Sequence, residues 1–162
     1  MKSLILLFTP VIAIGSCSLW ASQQPKFSWL HHPQHYPWEL WLGIITAAIA
    51  VVGGVADWRY HRQGQRKVSA IERHYEAMAL AGGVPLFIMM AAATLSARPN
   101  QFLIPVLMIV LYMTVLICYD EFIFHRVCKP IETLMHRMLV FGNGAAWLAW
   151  AHWCFVRGGM NG

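Results

Sequence analysis

Five apolar runs, near residues 3–21, 38–56, 77–97, 102–119 and 138–156, leave this chain few ways to fold. Lipid offers the backbone no hydrogen-bonding partner, so an apolar run of about 20 residues crosses it as a helix. The composition agrees: 58% of the 162 residues are hydrophobic and 12% are charged, where soluble domains carry about 25% charged residues. No stretch is long enough for a separate soluble domain. The pattern predicts an all-α membrane protein with five transmembrane helices. Residues 1–21 form a first transmembrane helix or signal-like segment. Residues 22–162 form a four-helix transmembrane domain of two hairpins, 38–97 and 102–157.

The first segment, "MKSLILLFTPVIAIGSCSLWA", also has the make-up of a signal peptide: a lysine, an apolar centre and small residues. Its "IGSC" resembles a lipoprotein cleavage site. The reading taken here is a retained first helix. Cys17, Cys118, Cys128 and Cys154 form no CxxC pair, so neither a disulfide framework nor a zinc ribbon is expected. They read as small apolar residues.

The formal net charge of +5 reflects orientation rather than nucleic-acid binding. The 57–76 connection carries Arg59, Arg62, Arg66, Lys67 and Arg73, and the 120–137 connection carries Arg126, Lys129 and Arg137. The other face has Lys26 and Arg98, with Arg157 at the C-terminal end. Basic residues stay on the cytoplasmic side. The N-terminus is therefore expected in the cytoplasm, and the C-terminus in the periplasm of a bacterial inner membrane.

The acids concentrate in the same two connections. Of the seven carboxylate residues, Asp57, Glu72, Glu76, Asp120, Glu121 and Glu132 lie there, and only Glu39 lies elsewhere. His61, His74, His125 and His136 lie there too. The connections also resemble each other. "DWRYHR" (57–62) and "EFIFHR" (121–126) share the order acid, aromatic, any, aromatic, His, Arg, and "IERHYE" (71–76) aligns with "IETLMH" (131–136). An internal duplication of a helix–loop–helix hairpin accounts for the match.

Asp57/His61, Glu121/His125, Glu132/His136 and Glu72/Glu76 are i,i+4 pairs. On a helix each pair presents two groups to one side. That requires the helices to run about a turn beyond the apolar runs. Ser69-Ala70-Ile71-Glu72 reads as a capping box starting one helix, and Pro130 suits the first turn of another. Asp57, Glu76, Glu121 and His136 then form the layer nearer the membrane, with His61, Glu72, His125 and Glu132 one turn out. These eight are the expected metal ligands. His74 joins them only if its helix starts irregularly. Asp120 lies about 100° round the helix from Glu121 and is expected to pair with an arginine.

Four helices, each offering an acid/His or acid/acid pair, resemble the ligand arrangement of carboxylate-bridged di-iron bundles. The resemblance extends to membrane-embedded non-haem di-iron oxidases and hydroxylases, which hold their metals at the cytoplasmic face. It covers ligand arrangement only. Those bundles use Glu-x-x-His at i,i+3 where this chain has i,i+4. The HxxxH and HxxHH boxes of the membrane enzymes are absent from the two connections, so no specific family is assigned. The resemblance implies two iron ions, a hydrophobic small-molecule substrate such as a lipid, and a separate electron donor, since no NAD or flavin motif is visible. Manganese and zinc suit the same donors.

Plainer readings compete. Glu72 and Glu132 favour helix N-termini on their own account, the i,i+4 pairs stabilise helices, and arginines neutralise acids. "HHPQHYPWE" (31–39) offers three histidines that suit copper or zinc, but Trp29, Tyr36, Trp38 and Trp41 mark it as an interfacial loop. His152 is a lone histidine, expected to pack rather than ligate. Gly53-Gly54, Gly82-Gly83 and Gly142-x-Gly144 are expected at close helix contacts. A non-catalytic accessory subunit of a larger membrane complex is the alternative to an oxidoreductase. Metal transport is disfavoured, because acids and histidines are missing from mid-membrane positions.

Overall fold

The computed structural model describes residues 2–64, 68–124, 126 and 128–159. Among these there is no strand, and the fold is all-α. Five helices follow one another: α1 (Lys2–Ser22), α2 (Trp38–Arg62), α3 (Ala70–Leu95), α4 (Leu103–Ile123) and α5 (Pro130–Ala151). Short 3₁₀ turns fill most of the links from α1 to α2 and from α3 to α4. A π-helical turn, His152–Val156, continues α5.

The helices overrun the apolar runs where the acids and histidines lie. α2 continues to Arg62, so Asp57 and His61 share its last turns. Gly64, at φ +75°, then turns the chain away. α3 opens on the capping box. Ser69 Oγ accepts from the Glu72 amide at 3.1 Å, and Glu72 Oε2 accepts from the Ser69 amide at 3.3 Å. α5 opens on Pro130, whose missing N–H costs nothing in a first turn. α4 ends at Ile123, and His125 lies outside the described residues, so the Glu121/His125 pair is not traced.

α2, α3 and the segment Pro99–Ile123 are long and apolar enough to cross a membrane. α1 carries a shorter apolar stretch, Val11–Ser22. α5 is not among those three, since His136, Arg137 and Asn143 interrupt its apolar run. Large apolar side chains cover the outside: Ile45, Ile88, Ile104, Phe141 and Leu148 are all exposed. A surface this apolar suits lipid, not water.

The two helices within each repeated hairpin are not the ones that pack on each other. α2 lies along α5, and α3 lies along α4. Each packed pair therefore joins the two hairpins. Two glycines set the α2–α5 approach. A Cβ built on Gly142 would stand 2.7 Å from the Thr46 carbonyl oxygen and 2.8 Å from the Ala50 amide nitrogen. On Gly53 it would stand 2.7 Å from the Met135 carbonyl oxygen. Gly82 faces the flexible Met113 side chain, while Gly144 faces open space. The expectation of glycine contacts thus holds at Gly53, Gly82 and Gly142 but not at Gly144. Trp150 Nε1 donates to Thr94 Oγ1 at 3.0 Å, tying α5 to α3.

Candidate metal centre

The exchange of packing partners brings the inner ends of four helices together. His61 of α2 places Nε2 3.5 Å from Asp57 Oδ1 on its own helix and 3.5 Å from Glu132 Oε1 of α5. His136 of α5 places Nε2 3.7 Å from Asp120 Oδ2 and 3.6 Å from Glu121 Oε2, both of α4. Glu76 of α3 lies within electrostatic reach of Asp57, Glu72 and Asp120, which repel it, and of His61, which attracts it. Glu72 and Glu132 are each 1% exposed. Two imidazoles and a set of carboxylates from α2, α3, α4 and α5 therefore share one largely buried layer.

These contacts form two levels. His61 and Glu132 meet at the outer one. Asp57, Glu76, Asp120, Glu121 and His136 lie nearer the apolar runs. The i,i+4 spacing builds this directly, since residues one turn apart rise about 6 Å along a helix.

The nitrogen–oxygen separations of 3.5–3.7 Å exceed a hydrogen bond, which falls at about 2.7–3.2 Å. They are also somewhat wider than the spread of two ligands on one ion. Donors about 2.1 Å from a metal at a tetrahedral angle stand about 3.4 Å apart. Among the described residues, no three donors surround a single point at coordination distance. Each of the two imidazoles instead meets two carboxylates.

Asp120 falls differently from the sequence reading, while His74 falls where a regular helix start puts it, away from the acids. Asp120 was expected outside the ligand set; it is 4% exposed and faces His136. The signal for it was the helical spacing of α4, whose other buried positions are Val106 and Leu116, the latter one turn before Asp120. His74 is exposed, with its ring edge-on to Tyr75, and stands away from the layer.

Most described basic residues of the two connections point outward. Arg59, Arg73, Arg126 and Lys129 are exposed, and Arg62 stacks over Trp58 at 5.3 Å. Among the described residues, Arg137 lies beside the layer, 3.7 Å from Glu121. Arg66 and Lys67 lie outside the described residues.

A second polar group lies at the opposite end of α2. Glu39 is 2% exposed, its Oε1 lies 2.8 Å from His152 Nδ1, and its Oε2 accepts from Arg157 at 3.0 Å. Sequence reasoning treated Glu39 and His152 as isolated. The available signal was that a carboxylate at the edge of an apolar run needs a partner. His31, His32 and His35 are exposed, and His31 Nε2 lies 2.8 Å from the Ser22 carbonyl oxygen.

Fold and layer together define a class: an all-α protein with membrane-crossing helices and a buried acid–histidine layer at one end. Comparison with known proteins finds no matching family model, no similar curated protein and no similar solved structure.

Proposed function

We propose that the chain is a membrane-embedded metalloprotein that holds two iron ions and oxidises a lipid or other hydrophobic small molecule at the cytoplasmic face of a bacterial inner membrane. The observation that carries this reading is the pairing of each imidazole with carboxylates of another helix: His61 with Glu132, and His136 with Asp120 and Glu121. Salt bridging needs no histidine, and it does not need two on facing helices. Mixed nitrogen and carboxylate-oxygen donors suit iron, with manganese or zinc as competitors. Iron supplies dioxygen activation. The protein's own residues hold the ions, keep water from the layer by burial, and let an apolar substrate approach from the bilayer. Electrons come from a separate donor. The N-terminus lies in the cytoplasm and the C-terminus in the periplasm.

The 3.5–3.7 Å separations favour a second reading, a non-catalytic subunit whose acid–histidine layer only locks four helices. Metal analysis separates the two. Protein purified from iron-replete cells should hold nearly two metal ions per chain. His61→Ala and His136→Ala should each lower metal content and any oxidase activity together. Alanine keeps helix propensity, so insertion should persist. His152→Ala, at the far end, should keep the metal. A parent chain with no metal, or both variants with full metal, leaves the subunit reading standing.

A further inference from the structure

A groove of about 530 Å³ opens at the inner ends of α4 and α5, lined by Glu121, Phe122, Arg126, Cys128, Thr133 and Arg137. It adjoins the candidate metal layer through one residue. Glu121 contributes Oε1 to Arg137 at 3.7 Å and Oε2 to His136 at 3.6 Å. Its two ends differ in chemistry. Arg126 is exposed and the Arg137 side chain is 59% exposed, so both guanidiniums have room for another partner. Phe122 is 73% exposed, and Ile123 beside it is 55% exposed, continuing the apolar surface of α4.

We propose that this groove binds a lipid with an anionic phosphate headgroup, the headgroup between Arg126 and Arg137 and the first part of the chain along Phe122. The inference rests on the metal-layer reading for its consequence, namely that the bound lipid is the substrate. The binding itself stands on the groove. A guanidinium pairs two-pronged with phosphate oxygens, where Lys acts as a point charge. Glu121 is the acid that opposes an anion here. It also holds the Arg137 guanidinium at the rim, which fixes one donor in advance. Exposed phenylalanine next to exposed arginine matches an amphiphile and does not match a free, fully hydrated phosphate ion.

General positive charge on the cytoplasmic side is the competing cause, and the test is built to separate it. Full-length protein in neutral detergent is mixed with equal amounts of phosphatidylglycerol and phosphatidylcholine, and retained lipid is read by native mass spectrometry. The parent should prefer phosphatidylglycerol by roughly tenfold or more, the scale of one or two charge-assisted hydrogen bonds. Arg126→Gln/Arg137→Gln should bring the ratio near one, while Arg126→Lys/Arg137→Lys should restore part of it. Arg59→Gln/Arg73→Gln removes two exposed arginines outside the groove and should leave the preference intact. Equal loss in both glutamine pairs, or no preference in the parent, overturns the proposal. His61→Ala/His136→Ala should keep the lipid preference, so lipid selectivity without metal sinks the oxidase reading alone, and metal without lipid selectivity sinks the groove alone.

Discussion

Replacing Gly142 by alanine tests whether the α2–α5 seam sets the geometry of the inner layer. The new Cβ would lie 2.7 Å from the Thr46 carbonyl oxygen, 2.8 Å from the Ala50 amide nitrogen and 2.9 Å from the Ala50 Cβ. Carbon contacts are comfortable only at about 3.5–4.0 Å. The first two atoms are backbone, so no rotamer change relieves them, and the helices must part by close to an ångström. Overpacking of this kind costs about 1–3 kcal/mol. Alanine returns about 1 kcal/mol of helix propensity over glycine. Gly144→Ala isolates that return, because a Cβ there meets nothing within 4 Å. The difference between the two variants is therefore the packing cost alone. At about 2–4 °C per kcal/mol, Gly142→Ala should melt several degrees below Gly144→Ala in the same detergent. His61 and Glu132 sit on the two helices that would part, at 3.5 Å. Metal uptake should fall in Gly142→Ala and not in Gly144→Ala. Equal melting points and equal metal content would refute the claim that this seam positions the layer.

Glu39→Ala should destabilise the chain by about 1–2 kcal/mol, a discounted figure because His152 and Arg157 are partly exposed. Glu39→Gln, which keeps an acceptor, should cost less, and thermal melts compare the two. Ser69→Ala removes the capping-box acceptor for the Glu72 amide at 3.1 Å and should cost about 1 kcal/mol, read in the same melts. A tag at residue 64 should be accessible from the cytoplasm and a C-terminal tag from the opposite side; a cytoplasmic C-terminus would mean that the chain does not cross five times. Asp120→Asn should lower metal content more than Glu121→Gln, since Asp120 is the more buried of the two acids facing His136.

Much of the helical layout was readable because hydrophobic run length and helix-start chemistry are local. Ser69 and Glu72 announce the start of α3, and Pro130 announces α5. The i,i+4 pairs announced which residues share a side within one helix. What they could not announce is which helices face each other. Two repeated hairpins suggest that each hairpin packs on itself, whereas α2 lies on α5 and α3 on α4. That choice depends on where small residues allow backbone contact, and Gly53, Gly142 and Gly144 look alike in sequence. Only two of them meet a neighbouring backbone. Asp120 depends on the same choice: it lies on the face that α4 turns inward, where it is buried and meets His136.

The cross-hairpin packing has a consequence for how metal and fold would depend on each other. Inside a bilayer the apolar side chains give helices little reason to associate, since lipid tails are as apolar as leucine. The α2–α5 seam is held by close glycine packing, and one indole-to-hydroxyl bond ties α5 to α3. At the inner end, Glu76 is repelled by three neighbouring carboxylates drawn from three helices. Low dielectric makes that repulsion stronger than it would be in water. On the proposed reading, cations bound between His61 and Glu132 and between His136 and Asp120 would reverse the sign of this term and draw the four helix ends together. Metal binding would then appear as stability, growing with metal concentration. Chelation should loosen the 57–76 and 120–137 ends first. Glu39, with His152 and Arg157 on it, would keep the far end closed.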